Sequence, residues 1–294
     1  MRVVLCFFGL VKNVSDAQLA AYRTCVVEPF RSLGLEVVAM MHTHTVNTFT
    51  NTRNREVNVK IDQERSIAKL RTLCPWLILM QTPPKDASNA ELDALLVNGD
   101  PWSNNPRESL KMYLRQLDSL RHLAFGLDAH GRKSDLLIVL RPDVMFREPM
   151  NAKDIVANYR AHPKKILTPG WGTYGGCNDR MAVGNRRVMV PYLLRGSRLR
   201  GYVNLGNRPH AEKFLKFAIP NARPCIRTRF ARVRADGRVI WDRDDSKPHA
   251  PALAPASSAL QCNVSVAELE GLVSGVAPSS VDPLVPEQGV DDGP

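Results

Sequence analysis

Hydrophobic residues along the chain fall into two recurring patterns. Short continuous apolar runs bounded by Gly, Pro, Asn or Asp read as buried strands, and longer stretches with an apolar residue every three or four positions read as helices. The first run, Arg2–Phe8, is followed by a loop, Gly9–Asn13, and a helix over Ala17–Leu33 with Leu19, Ala20, Cys25, Val26 and Phe30 at helical spacing. Ser15 or Asp16 supplies its N-cap and Gly34 its stop. A second strand, Leu35–Met41, leads into His42-Thr43-His44-Thr45. This strand–helix–strand opening predicts a right-handed crossover and a parallel sheet.

The pattern then predicts a polar loop over Asn47–Asn58, a short helix over Asp62–Thr72, a third strand over Trp76–Met80 and a helical turn at Ala90–Leu96. Pro106 opens a strongly amphipathic helix, Arg107–Gly126, striped by Leu110, Tyr113, Leu114, Leu117, Leu120 and Leu123. Arg115, Gln116 and Ser119 lie off the centre of that stripe, as a solvated flank or as a face turned toward a site. The run Leu136–Leu140 reads as a fully buried strand ending in Arg141-Pro142-Asp143, with a second short run, Val144–Phe146, behind it. Pro142 cannot donate to a ladder, so the strand is interrupted there or lies at an edge.

Beyond it the pattern predicts a helix over Asp154–Tyr159, a strand over Lys165–Thr168, a glycine-rich segment Gly170–Arg180, and a strand over Met181–Gly184. A helix over Asn185–Leu194, ended or kinked by Pro191, precedes a polar stretch Gly201–Asn207 and a helix over Ala211–Phe217. Cys225–Arg234 alternates enough to be one strand, and Asp236-Gly237 signals a hairpin turn into Arg238–Trp241. From Ser246 onward Pro, Ala and Ser dominate: a linker over Pro248–Ser258, a short helix over Ser265–Leu272 and an acidic, disordered tail over Val281–Pro294. The expected organisation is one folded domain over residues 1–245, then linker and tail over 246–294.

Composition sharpens this picture in three ways. At 294 residues and 44% apolar content the chain can bury a sizeable core. A net charge of +11, concentrated in Arg195–Lys247, invites a polyanionic or phosphate-bearing partner. The six cysteines have no CxxC spacing, which argues against a zinc site and favours free thiols in a reducing, cytoplasmic compartment. No stretch reaches the ~20 apolar residues of a membrane span, and Val3–Val11 reads as a first strand, not a signal segment. Two glycosylation triplets, at Asn13 and Asn263, carry little weight without one.

Three places carry candidate chemistry. Asp143 stands at the C-terminal end of a buried strand, where open α/β sheets bind ligands; the competing reading is an Asp that caps a turn. In the first loop, Gly9 and Lys12 between a strand and a helix start could cradle a diphosphate, although the loop is neither GxGxxG nor Walker A. The segment Gly170–Arg180 offers tight backbone paths, the aromatics Trp171 and Tyr174, whose faces suit sugar rings, and a carboxylate that can act as a base; the competing reading is a surface loop.

Taken together, Cys6–Asn13 (CFFGLVKN), Leu137–Pro149 (LIVLRPDVMFREP) and Gly170–Gly184 (GWGTYGGCNDRMAVG) resemble nucleotide-sugar-dependent glycosyltransferases of the GT-A type. They are most similar to the uncharacterised plant, algal and large-virus branch with an RPD segment and an NDRFAVG-like motif, whose closing strand Arg227–Asp236 also fits. The resemblance implies an α/β fold, a GT-A-like Rossmann-type αβα sandwich around a mostly parallel central sheet. It implies a hexosyl- or pentosyltransferase that moves a sugar from a nucleotide-sugar donor to a glycan or other hydroxyl acceptor. Asp143 falls on the last Asp of the family's DxD-type motif and is the expected ligand of Mn²⁺ or Mg²⁺; Arg141 stands where many relatives have the first Asp. Phe8, Gly9 and Lys12 fall on the loop along the donor, with His44 and Arg115 as further expected donor contacts. His44 has a structural reading too. The expected catalytic residues are Asp179, as general base or as the group that orients the acceptor hydroxyl if the enzyme inverts, Asn178, and Arg141, which contacts phosphate itself or supports the acceptor.

Three other readings compete, the smallest being a nucleotidyltransferase on a related fold, which would also use a strand-end Asp, a metal and a basic loop. Arg223–Arg243, with Phe230 and Trp241 interleaved, has the charge of a nucleic-acid-binding surface, but no binding motif appears and no nucleic acid is expected. Arg141 in place of an Asp suits a catalytically inactive GT-A-like scaffold.

Overall fold

Seven strands make up the central sheet: β1 (Arg2–Phe8), β2 (Glu36–His44), β3 (Leu77–Thr82), β4 (Leu136–Leu140), β5 (Ile166–Pro169), β6 (Met181–Asn185) and β7 (Ala222–Ile226). They lie in the order β7-β5-β6-β4-β1-β2-β3. All run parallel except β6, which is antiparallel to both β4 and β5. These and all other details come from a computed structural model that describes residues 1–74, 76–101, 106–130 and 135–241. The linker, the Ser265–Leu272 helix and the acidic tail expected from the sequence lie outside the described residues.

Successive residues of a strand face opposite sides of its sheet, and β1 shows the consequence. Val3, Leu5 and Phe7 enter one core with Tyr22, Val26 and Phe30 of the first helical segment. Val4, Cys6 and Phe8 enter the other with Leu110, Leu117 and Leu120 of the long helix Pro106–His130. Both faces are covered, so the strand is apolar throughout. Each fully buried Leu or Phe contributes about 1.5–3 kcal/mol. The expected Rossmann-like αβα sandwich on a mostly parallel sheet is what the chain forms. No described helix is long and apolar enough to cross a membrane.

Several elements differ from the expected pattern. The first helix is Asp16–Tyr22, capped by the Ser15 side chain, and continues through a π-helical turn, Arg23–Val27, to Glu28–Arg31. Asn47–Asn58, expected as a loop, folds into the hairpin Thr48–Asn51 and Glu56–Lys60, turned by Arg55 at φ 59°. Its strands are short and largely polar, so alternation is faint there. The expected strand Cys225–Arg234 is two. Ala222–Ile226 joins the central sheet, and Phe230–Val233 joins a small sheet with Val144–Phe146 and Val239–Ile240. Part of the polar stretch at 201–207 is helical, as Leu199–Asn204. Pro191 sits inside the helix Arg186–Leu193 without ending it.

The small sheet sets the position of the site. After β4 the chain passes Arg141-Pro142-Asp143 and leaves the central sheet, so Val144–Phe146 pairs antiparallel with Phe230–Val233 instead. The Val233 amide donates to the Asp143 carbonyl at 2.7 Å. Pro142 therefore marks the point where one run of sequence serves two sheets.

Candidate active site

The C-terminal ends of β1, β2 and β4 share one edge of the sheet, and so does the start of antiparallel β6. Leu140 is in register with Met181, and the Arg141 amide donates to the Arg180 carbonyl at 3.1 Å. The antiparallel strand thus brings Asn178-Asp179-Arg180 beside Arg141-Pro142-Asp143. Two adjoining cavities open here, of about 530 and about 1060 Å³. Lys12, Met112, Gln116 and Arg141 line both.

The smaller chamber is walled by Phe8, Gly9, Lys12, His44, Phe49, Arg115 and Asp143. Gly9 has φ +94°, a conformation that L side chains rarely adopt, and its amide donates to Ser119 Oγ at 2.7 Å. Ser119, off the helix stripe in the sequence, is fully buried and also donates to the His42 carbonyl at 3.1 Å. His44 Nε2 donates to the Arg115 carbonyl at 3.0 Å, and Thr82 Oγ1 donates to His44 Nδ1 at 3.3 Å. Both ring nitrogens are held within the protein, so His44 offers the chamber a ring face. Arg115 is paired through two contacts with Asp86, at 2.8 and 2.9 Å.

At the junction of the chambers the Arg141 guanidinium donates to both oxygens of Asp143, at 2.8 and 2.6 Å. Lys12 Nζ lies 3.5 Å from Asp143 Oδ2, 3.9 Å from Glu56 Oε1 and 4.5 Å from the Phe49 ring centroid. Burial opposes the charge on Asp143, but Arg141 and Lys12 prevail and hold its carboxyl well below the usual range. Burial lowers the pKa of Lys12 despite Asp143 and Glu56.

These contacts do not fit a divalent ion on Asp143. Both carboxylate oxygens take the guanidinium, and the Lys12 ammonium lies within 4 Å of both Asp143 and Glu56, the nearby carboxylates a cation would need. Among the described residues no group of three or more His, Cys, Asp or Glu is placed to hold a metal.

The wider chamber is lined by Asp179, Arg180, His210 and Glu212, and by Tyr174, Arg53, Arg232 and Arg234. Arg232 lies on the strand that pairs with Val144–Phe146 and Arg234 just beyond its end, so part of the basic run Arg223–Arg243 faces this cleft. Burial, and then the Asp179 charge, push the Glu212 carboxyl up to about 8. Glu212 also lies 3.2 Å from His210 Nδ1 and 3.8 Å from Arg180.

Two expected site residues have other work. Asn178 is fully buried; its Nδ2 donates to the Trp171 carbonyl and its Oδ1 accepts from the Arg180 amide, both at 3.0 Å. It braces the loop that presents Asp179 and is not at the cleft surface. Trp171 is buried against Phe230, with ring centroids 4.7 Å apart, and donates Nε1–H to the Thr228 carbonyl at 3.1 Å. It cannot stack on a sugar, whereas the half-exposed Tyr174 still lines the chamber.

Sequence reasoning missed Glu56, Glu212, Gln18 and Tyr22. Gln18 Nε2 donates to the carbonyls of Pro142 and Val144, at 2.7 and 3.0 Å, and Tyr22 Oη donates to that of Arg141 at 2.9 Å. One helical face therefore holds the whole turn that carries Arg141 and Asp143.

No protein-family model matches the chain, and no curated protein matches it. Among solved structures the chain is similar to the crystal structure of mouse xyloside xylosyltransferase 1 in its apo form. The two are 14% identical over 74% of this chain and 80% of that one, with a TM-score of 0.34.

Proposed function

We propose that this chain is a glycosyltransferase that moves a sugar from a nucleotide-diphosphate-sugar donor to a hydroxyl acceptor, such as one on a glycan. The observation that carries this reading is the junction itself. A chamber built on the Gly9–Lys12 loop and a chamber holding the Asp179 and Glu212 carboxylates meet at Arg141 and Lys12. The nucleotide occupies the smaller chamber, the diphosphate lies at the junction, and the sugar reaches toward the acceptor in the wider one.

In the reaction the acceptor oxygen bonds to the anomeric carbon, and the bond from that carbon to the diphosphate breaks. The electron pair leaves with the diphosphate. The acceptor proton passes to Asp179, with Glu212 as the neighbouring carboxyl that sets its charge environment.

The test is a thermal-shift screen of nucleotide sugars followed by product analysis with the ligand that stabilises most. A ligand bound only by the folded state raises its stability by mass action. The reading expects at least one nucleotide sugar to stabilise the chain and to be turned over with a hydroxyl acceptor. Stabilisation with neither transfer nor hydrolysis would assign the chain instead as a binding scaffold, a reading that the Arg141–Asp143 pairing favours.

A further inference from the structure

We infer that the leaving diphosphate is held by fixed side-chain cations, with Lys12 and Arg141 in contact and Arg232 and Arg234 behind them, and that Asp143 aligns those cations instead of ligating a divalent ion. This rests on the proposed glycosyl transfer. Charge builds on the diphosphate as the sugar leaves, and something positive and preorganised must stand where it builds. Arginine and lysine can do this as well as a metal does, and a guanidinium adds two parallel donors that match phosphate oxygens.

Three observations support the assignment. First, the Asp143 carboxylate is engaged by cations: the Arg141 guanidinium donates to both oxygens at 2.8 and 2.6 Å, and the Lys12 ammonium lies 3.5 Å away. Second, the other carboxylate within reach, Glu56, faces a cation on each oxygen, and its buried Oε2 has no hydrogen-bond partner among the described residues. Glu56 Oε1 accepts from the Ala235 amide at 2.6 Å and lies 3.9 Å from Lys12, and Glu56 Oε2 lies 3.9 Å from Arg234 Nη1. Third, the local charge is in surplus. Lys12, Arg141 and Arg234 stand around Asp143 and Glu56, three cations against the two carboxylates they contact at the junction. Arg234 is nine-tenths buried, and its Nε has no hydrogen-bond partner among the described residues. A diphosphate entering between the chambers would meet this surplus, and the two carboxylates hold the cations apart until it does.

The experiment is calorimetric titration of the full chain with UDP, GDP, ADP and CDP, in excess EDTA and again with Mn²⁺. Wild type is expected to bind at least one of them in EDTA, with Mn²⁺ changing its Kd by less than about threefold. Inorganic pyrophosphate should compete with that nucleotide in EDTA. Arg141→Gln should weaken binding by about tenfold or more, and Asp143→Asn, which loosens the alignment of Arg141 and Lys12, should weaken it less and to the same extent with and without Mn²⁺. Binding that appears only with Mn²⁺, or a Mn²⁺ enhancement that Asp143→Asn abolishes in a chain that still melts cooperatively, overturns the inference and leaves glycosyl transfer standing. Failure of every nucleotide to bind in either condition overturns both. The wild-type titrations decide the question even if Asp143→Asn does not fold.

Discussion

Gly176 lies against the first turn of the helix Ala211–Ala218 so closely that a Cβ built on it would stand 1.9 Å from the Glu212 carbonyl oxygen and 2.5 Å from the Lys213 nitrogen. The next residue uses the same carbonyl: the Cys177 amide donates to Glu212 O at 3.0 Å. The loop ahead of Asp179 and the helix that carries Glu212 are thus joined backbone to backbone, and no side chain fits between them. Gly176→Ala is expected to cost about 1–3 kcal/mol, the range for overpacking a site that cannot relax. Gly201, in the helix Leu199–Asn204 with nothing within 4 Å of its Cβ position, is the control. Gly201→Ala should be neutral or stabilise by about 0.5–1 kcal/mol. Urea unfolding of the two variants checks the contrast.

The same joint sets the two carboxylates of the wider chamber beside each other. Asp179→Asn removes the proposed proton acceptor while keeping shape and is expected to cut turnover by about 10²–10⁴. Donor affinity should be unchanged, because the proposed nucleotide site is the other chamber. Steady-state kinetics with a donor Kd from titration separate these effects, and near-wild-type turnover would remove Asp179 from the mechanism.

Glu212 makes the chamber sensitive to pH. Its carboxyl is raised from an ordinary 4.5 to about 8, first by burial and then by Asp179. Between those two values the native state holds a proton that the unfolded state has lost. Stability therefore falls as pH rises across that window, and the contribution is gone above the folded value. Glu212→Gln keeps the neutral form permanently. Melting temperatures of the two proteins should diverge in the variant's favour from pH 5 toward pH 9, and parallel curves would show that Glu212 does not titrate in this way.

Gln18 shows how a residue outside the cleft can govern it. Its amide satisfies two carbonyls of the turn around Asp143, at 2.7 and 3.0 Å, from a fully buried position. Gln18→Ala leaves both acceptors unpaired in the interior and is expected to destabilise the chain by about 2–4 kcal/mol. Tyr22→Phe removes the hydroxyl that reaches the Arg141 carbonyl and that also meets the Val144 backbone and the Gln18 side chain, and should cost about 1–2 kcal/mol. Both should also weaken nucleotide binding through the displaced turn, read from titration on chains that still melt cooperatively.

Why Gln18 was invisible in the sequence, while Asp143 was plain, has a physical reason. The continuous apolar runs that feed β1, β2 and β4 signal burial on two faces, and the residues that follow such strands fall at the ligand-binding edge. Asp143, Gly9 and Lys12 were therefore legible from their place after strands. Asp179 was legible from the glycine-rich loop before β6. Glu56, Glu212 and Gln18 sit inside helices or a short polar hairpin, where a polar residue ordinarily reads as a solvated face. Only the pairing of the strand at Phe230–Val233 with Val144–Phe146, and the backbone joint at Gly176, carry them inward. Those are long-range contacts that leave no local pattern. Asn178 and Trp171 erred the other way: their residue types suit a binding site, but the loop uses both to hold itself.

Lys12 offers the sharpest separation of stability from binding. It is buried between Asp143 and Glu56, at 3.5 and 3.9 Å. Removing one member of a buried ionic group strands the others, at a typical cost of about 3–5 kcal/mol. Lys12→Met keeps length and packing over Phe49, so most of its cost should come from the uncompensated carboxylates. Arg234 still stands beside Glu56 and Arg141 beside Asp143, which places the expected loss near 3 kcal/mol, the lower end of that range. Adding Glu56→Gln discharges one stranded carboxylate, so the double variant should recover about 1–2 kcal/mol of it, a coupling read from a thermodynamic cycle of the four proteins. Nucleoside diphosphate affinity should not recover, because the cation facing the phosphates is gone in both variants. Recovery of binding together with stability would make Lys12 a purely structural residue.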